Sequence, residues 1–222
     1  GPEGINPKLN KLGSAEWNRT TAKVKESLRT YAKELVELYA RRSKIKGYAY
    51  SSDTVWQNEF EEYFPYEETD DQLRCTEEIK ADLEKDHPME RLLCGDVGYG
   101  KTEVALRAAF KVVCEGKQVA FLVPTTVLAQ QHYKNFVERF SKFPVKIDYL
   151  CRFRTNAEKK RISSELESGK IDILVGTHSI IKGNVKFKDL GLVIIDEEQR
   201  FGVMHKEKLK KDRPEVDILT LS

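Results

Sequence analysis

Excess charge of either sign is missing from this chain. Its 38 lysines and arginines face 36 aspartates and glutamates, a net charge of +2 over 222 residues. So even a balance gives no bulk electrostatic argument for a polyanionic partner, and any nucleic-acid contact must come from local groups. Cysteine is scarce. The four residues, Cys75, Cys94, Cys114 and Cys151, show no C-x-x-C spacing. A metal cluster or disulfide framework is therefore not expected, and a reducing cytoplasm is the expected compartment. No apolar run is long enough to span a bilayer and no secretory leader is recognisable, so no membrane role is expected. There is no internal repeat and no low-complexity tract. The first residues, Gly1-Pro2-Glu3-Gly4, lack an initiator methionine, which fits a piece of a longer protein. What remains is 40% hydrophobic and 33% charged, the composition of one large globular domain or a domain with an appendage.

The most informative stretch is Gly95-Asp96-Val97-Gly98-Tyr99-Gly100-Lys101-Thr102, a G-x-x-x-x-G-K-T pattern. Gly95, Gly98 and Gly100 let the backbone curl so that successive N–H groups point at one anion. Lys101 reaches the outer phosphates of a nucleotide, and the Thr102 hydroxyl suits Mg²⁺. Residues 91–94 read as the end of a buried strand and residues 103–110 as a helix whose positive dipole end adds to the anion site. The bland alternative is a glycine-rich turn that happens to precede a lysine.

Around this loop the chain alternates between two periods. Val24, Leu28, Tyr31, Leu35, Leu38 and Tyr39 recur at three and four residues, predicting one long amphipathic helix over residues 14–42. The aromatics of residues 48–66 are expected mostly to pack that helix against the main domain, with a short helix broken at Pro65. A second helix is expected over 71–85, started by Thr69-Asp70 and stopped by His87-Pro88. Strands are expected at 119–123, 145–150, 171–175, 192–195 and 216–221. Helices are expected from 126 to about 140 and over 156–167, the latter closed by Gly169. Strands that are apolar throughout, separated by helices, predict an α/β fold with a parallel sheet covered on both faces.

Leu192-Val193-Ile194-Ile195 runs into Asp196-Glu197. A buried strand ending in carboxylates carries Asp196 to the edge of the sheet where the phosphate loop also lies, placing it to hold Mg²⁺ and its waters. Glu197 is then the candidate general base that polarises an attacking water. Two solvated carboxylates at a strand end are the ordinary alternative, and it is the pairing with the loop that favours the site.

Asp196-Glu197-Glu198-Gln199 resembles the D-E-x-H/Q box of superfamily 2 helicases and translocases, and Arg200-Phe201-Gly202-Val203 narrows the likeness to the RecG-like group. The phosphate loop through Glu103, Pro124-Thr125-Thr126-Val127-Leu128-Ala129-Gln130-Gln131-His132 and Gly176-Thr177-His178 agree with it. Lys11–Trp17 with the helix after it, and Phe64-Pro65-Tyr66-Glu67-Glu68-Thr69-Asp70-Asp71-Gln72, are similar to the transcription-repair coupling branch of that group. Asp70 stands where proline is frequent and Cys151 where serine is usual.

The resemblance implies a P-loop NTPase fold: a RecA-like parallel sheet with helices on both faces, preceded by a long N-terminal helix. Residues 1–47 would be linker and connecting helix, and 48–222 the first of two RecA-like motor lobes, the second lying outside this chain. ATP and Mg²⁺ are the implied cofactors, with Lys101 and Glu197 catalytic and Thr102 and Asp196 on the metal. Gln72 would read adenine, and Phe64 or Tyr66 would stack on the base. Thr125, Thr126, Arg152, Thr177 and His178 would grip the backbone of double-stranded DNA without regard to sequence. Gln199, Arg200 and Phe201 would couple the carboxylate box to the DNA side and to the partner lobe. RNA polymerase and excision-repair proteins are implied partners through domains outside this chain.

Each assignment has a plainer alternative: core packing for the aromatics, a solvated helix position for Gln72, a surface ion pair for Arg152 and a mere packing role for the long helix. At the level of function, the alternatives to a polymerase-displacing translocase are a RecG-type fork-remodelling helicase and a non-catalytic interaction module. Without the second lobe, nucleotide binding is expected to be weak and hydrolysis negligible.

Overall fold

The computed structural model describes residues 15–95, 99–177, 180, 185–196 and 203–222. The chain divides into two compact units after Arg42. Helix α1 (Ala15–Lys44) runs for 30 residues, and the hydroxyls of Thr20, Ser27 and Thr30 donate back to carbonyls four residues earlier. Among the described residues no helix is long and apolar enough to cross a membrane.

The second unit is built on six strands: β1 (Glu90–Leu93), β2 (Gln118–Val123), β3 (Ile147–Leu150), β4 (Ile173–Thr177), β5 (Leu190–Asp196) and β6 (Asp217–Leu221). They pair in the order β1-β6-β5-β2-β4-β3, and every pairing is parallel. Parallel strands need crossovers, which here carry helices α4 (Tyr99–Val113), α5 (Thr126–Arg139), α6 (Asn156–Glu167) and α7 (Val203–Asp212). Helices α2 (Val55–Glu62) and α3 (Asp70–Leu83) precede β1.

Alternation along the central strands sorts the core into two layers. Val119, Phe121 and Val123 of β2 and Leu192 and Ile194 of β5 face a cluster with Phe60 of α2, Ile79 of α3, Val112 of α4 and Phe136 of α5. Ala120, Leu122, Val193 and Ile195 face the other way, onto Ile162 and Leu166 of α6 and Leu209 of α7. Burying each of the larger of these side chains is worth about 1.5–3 kcal/mol. This is the sheet, covered on both faces, that apolar strands alternating with helices predict.

Local chemistry sets the ends of the elements. Thr69 and Gln72 form a reciprocal capping box at the start of α3. Thr125 and Thr155 cap α5 and α6 through their hydroxyls. Helix α6 ends with Gly169 at φ 81°, its N–H bonding the Leu166 carbonyl while Lys170 N–H bonds that of Glu165. Only glycine takes this left-handed closing position without strain.

Some boundaries differ from expectation. Strand β3 begins at Ile147, because Val145 lies in a turn with its N–H on the Phe143 carbonyl at 2.8 Å. Strand β4 begins at Ile173, because the amides of Ile171 and Asp172 bond the carbonyls of Glu165 and Lys146 before the ladder starts. Of the aromatics in 48–66, Phe60 is fully buried and stacks on Phe110 at 4.4 Å, whereas Trp56, Tyr63 and Tyr66 are exposed.

Candidate active site at the carboxyl edge of the sheet

One row of residues sets the geometry. Leu93, the last residue of β1, is in register with Leu221 of β6, and Leu221 is in register with Asp196 of β5. Two strand spacings of about 4.8 Å separate β1 from β5. The chain leaving β1 toward the glycine loop and the carboxylate ending β5 therefore share one edge, on either side of β6. Lys101, in the first turn of α4, donates its ammonium to the backbone carbonyl of Ser222, whose own N–H bonds the Leu93 carbonyl at 3.0 Å. That holds the lysine over the end of β6, between the loop strand and the acidic strand. Thr102 follows it, half-buried, and Gly95 has open space around its Cβ position. Gly98, Glu197 and His178, and with them Gln199, Arg200 and Phe201, lie outside the described residues.

Gln72 comes to this loop from α3. Its Oε1 accepts the Thr69 N–H at 2.8 Å, and its Nε2 lies over Gly100, where a Cβ would approach it to 2.6 Å. The capping box thus orients an amide whose second acceptor lone pair and both N–H donors are unused by the cap.

Phe64 and Tyr66 meet edge to face at 5.6 Å but differ in surroundings. Phe64 lies under the guanidinium groups of Arg107 and Arg139, at 5.4 and 5.9 Å. Tyr66 is 63% exposed.

The charge cluster behind Phe64 escaped sequence reasoning. Arg107, 2% exposed on α4, bonds Glu103 at 2.9 Å and Glu68 at 2.6 Å. Glu103 also accepts two hydrogen bonds from Arg139 of α5, at 2.7 and 3.0 Å. Burial presses the Arg107 guanidinium toward neutrality, but its bonds to Glu68 and Glu103 outweigh that and raise its pKa, so it stays charged. The i,i+4 spacing of Glu103 and Arg107 was the available signal. It reads equally well as a solvated surface pair.

The other half of the edge belongs to β2, β4 and β3. Thr125 and Thr126 follow β2, Thr177 ends β4 and Arg152 follows β3. Val123 and Thr177 are in register, as are Leu150 and Gly176. Thr125 and Arg152 are exposed, and the Arg152 guanidinium stacks over Phe153 at 4.8 Å. Among the described residues Arg152 makes no ion pair. The two groups of residues are thus divided between the β1-β6-β5 and β2-β4-β3 halves of one sheet. A second contact missed in the sequence crosses that division: His132 of α5 places Nε2 3.5 Å from Oδ2 of Asp196.

Residues 69–222 match the model of the DEAD/DEAH box helicase family. The chain belongs to that family. As a DEAD/DEAH box protein it is 57% identical over 222 residues to the transcription-repair-coupling factor of Bacillus subtilis (strain 168). It is also 57% identical over 220 residues to the protein of that name from Staphylococcus aureus (strain USA300). It spans 19% of the length of each. Its fold is RecA-like. It superposes on RecG, in a structure bound to a three-way DNA junction, with a TM-score of 0.74 and 42% identity, over 84% of this chain and 25% of that one. The helicase MrfA, at 16% identity and TM-score 0.60 over 78% of this chain and 29% of that one, shares the fold.

Proposed function

We propose that residues 48–222 are the ATP-binding first motor lobe of an ATP-dependent double-stranded DNA translocase, and residues 1–47 its linker and connecting helix. The full-length protein displaces stalled RNA polymerase and hands the site to excision-repair proteins in the cytoplasm. The row Leu93–Leu221–Asp196 carries this reading, because it brings the lysine of the phosphate loop and the aspartate of the acidic strand to one edge.

The donor set fits a nucleotide with its metal. An ammonium, a hydroxyl and backbone amides at a helix N-terminus suit phosphate oxygens, and the half-buried Asp196 supplies a carboxylate. Among the described residues there is no group of three His, Cys, Asp or Glu side chains able to hold a metal. One carboxylate and one hydroxyl, completed by phosphates and water, is the usual way Mg²⁺ is held in such sites. When bound, Mg·ATP supplies the transferable phosphoryl group and the charge neutralisation for its transfer. Lys101 would bind the outer phosphates, Thr102 and Asp196 would hold the metal, Gln72 would read adenine and Tyr66 would cover the base. Glu197 orients the attacking water. Thr125, Thr126, Arg152, Thr177 and His178 hold the DNA backbone, and hydrolysis awaits arginines from a second lobe elsewhere in the full-length protein.

The test uses full-length protein on stalled elongation complexes. ATP-dependent displacement should be present in the wild type and lost in Lys101→Ala. Displacement that survives the substitution refutes the motor. A wild type that reverses forks but leaves polymerase in place makes it the RecG-type helicase instead. The 57% identity to coupling factors over the whole chain, against 42% to RecG over 84%, favours the first outcome.

A further inference from the structure

His132 makes a side-chain contact between the two halves of the carboxyl edge, across the β2–β5 pairing. It sits on α5, six positions after Thr126, and its Nε2 lies 3.5 Å from Oδ2 of Asp196. Phe121 of β2 and Phe136 of α5 pack against the ring, with centroids at 5.2 and 5.3 Å. Its side chain is 16% exposed, and its Nδ1 is buried with no hydrogen-bond partner. A neutral imidazole carries one proton. Leaving a buried N–H unpaired costs more than leaving a ring lone pair unpaired. The burial of Nδ1 without a partner therefore favours the tautomer with its proton on Nε2, the nitrogen that faces the carboxylate. At 3.5 Å the pair is just beyond a good hydrogen bond, and a small shift of either side chain closes it.

We propose that His132 is a positioning residue that sets the Mg²⁺ affinity of the site, by donating from Nε2 to Oδ2 of Asp196 and leaving the other carboxylate oxygen turned to the metal. This rests on the nucleotide reading above and extends it to a residue outside the phosphate loop and the acidic box. Carboxylates that hold metals are themselves held by hydrogen bonds, and removing such a partner weakens metal binding by about 10- to 100-fold. The ring is fixed by packing on the central strand, so the orientation of Asp196 does not depend on the nucleotide being present.

The experiment measures binding, not turnover. Full-length protein is titrated with a fluorescent, non-hydrolysable ATP analogue at a series of Mg²⁺ concentrations and in EDTA, without DNA. In H132F, which keeps the aromatic packing and lacks the donor, the Mg²⁺ concentration for half-maximal binding should rise about 10- to 100-fold while metal-free binding stays at the wild-type level. H132Q, whose amide nitrogen reaches the Nε2 position, should restore the midpoint to within about three-fold. A merely structural role would weaken metal-free binding equally and would not be rescued by glutamine. An unchanged midpoint in H132F, or an equal loss in EDTA, overturns the proposal. Should H132F melt early, H132N, whose amide reaches only the Nδ1 position, takes its place and must show the same rise. The underlying reading fails separately, if the wild type binds no nucleotide or if K101A binds as well as the wild type.

Discussion

The side-chain amide of Gln72 lies directly over Gly100, so close that a Cβ on the glycine would stand 2.6 Å from Nε2. The same amide closes the capping box of α3 through Oε1. One side chain therefore serves the start of a helix and faces the phosphate loop. The two roles use different atoms and can be separated.

Gln72→Glu is the separating substitution. A glutamate at this position still accepts the Thr69 N–H and suits the positive end of the helix, so the melting temperature of the chain should stay within about 2 °C of the wild type. The N–H donors are lost, and the proposed preference for adenine over guanine nucleotides should be lost with them. Competition between ATP and GTP analogues for binding measures it. A retained preference for adenine would remove Gln72 from base recognition.

Tyr66 and Phe64 should part company in the same assay. Base stacking on an aromatic ring is worth roughly 1–3 kcal/mol by alanine substitution. Tyr66→Ala should weaken nucleotide binding by about that amount and lower the melting temperature less than Phe64→Ala does. Phe64→Ala should have the larger effect on melting, since its ring lies under Arg107 and Arg139.

Glu103 accepts from two guanidinium groups, and of these Arg107 also pairs with Glu68 while Arg139 meets no other carboxylate among the described residues. Removing one partner of a buried ion pair leaves uncompensated charge, at a cost of about 3–5 kcal/mol. Glu103→Ala should destabilise the chain by that order in urea unfolding. The loss should exceed that from Glu165→Ala, whose pairs with Lys146 and Arg161 lie at the surface and are worth at most about 1 kcal/mol.

Asp53 gives the acid limb of the stability profile. Burial works to raise its pKa, but hydrogen bonds from Lys80 and Lys111 prevail and hold it below the ordinary 3.8. A carboxylate whose pKa is depressed by folding stabilises fully above its unfolded value, and that contribution is lost as the pH falls through the folded value. Asp53→Asn should therefore lower the urea midpoint at neutral pH, with the gap to the wild type closing only below about pH 3.8. A gap that stays constant across that range would show that the ionised carboxylate adds nothing.

Much of this architecture was legible because hydrophobic period and turn chemistry agreed. The apolar runs ending at Val123 and Asp196 became β2 and β5, and the expected helix over 156–167 matches α6. What stayed hidden was charge in the interior. Arg107, Lys80 and Lys111 are all buried, and their periodicity reads as a solvated face because pattern reasoning places every cation in water. Helix α7 raised no expectation: among its described side chains Leu209 is the one apolar residue in the sheet-facing core, and a lone leucine has no period. The sequence positions of His132 and Asp196 likewise say nothing of their approach, which depends on β2 and β5 being neighbours.

Arg152 tests the opposite half of the edge. A surface ion pair was the plainer reading, but among the described residues its guanidinium stacks on Phe153 and meets no carboxylate. A side chain so placed keeps its charge available to a phosphate. Each phosphate contact to duplex DNA contributes about −0.9 to the slope of log affinity against log salt. Arg152→Ala in the full-length protein should therefore flatten that slope by about one, weaken binding to duplexes of unrelated sequence by the same factor, and leave nucleotide affinity without DNA unchanged. Thr125→Ala should behave differently. It would remove the proposed phosphate contact and also the cap on α5, worth about 1 kcal/mol, so DNA affinity and melting temperature should fall together. If Arg152→Ala leaves the salt slope untouched, the guanidinium is not on the DNA, and the β3 end of the sheet drops out of the interface.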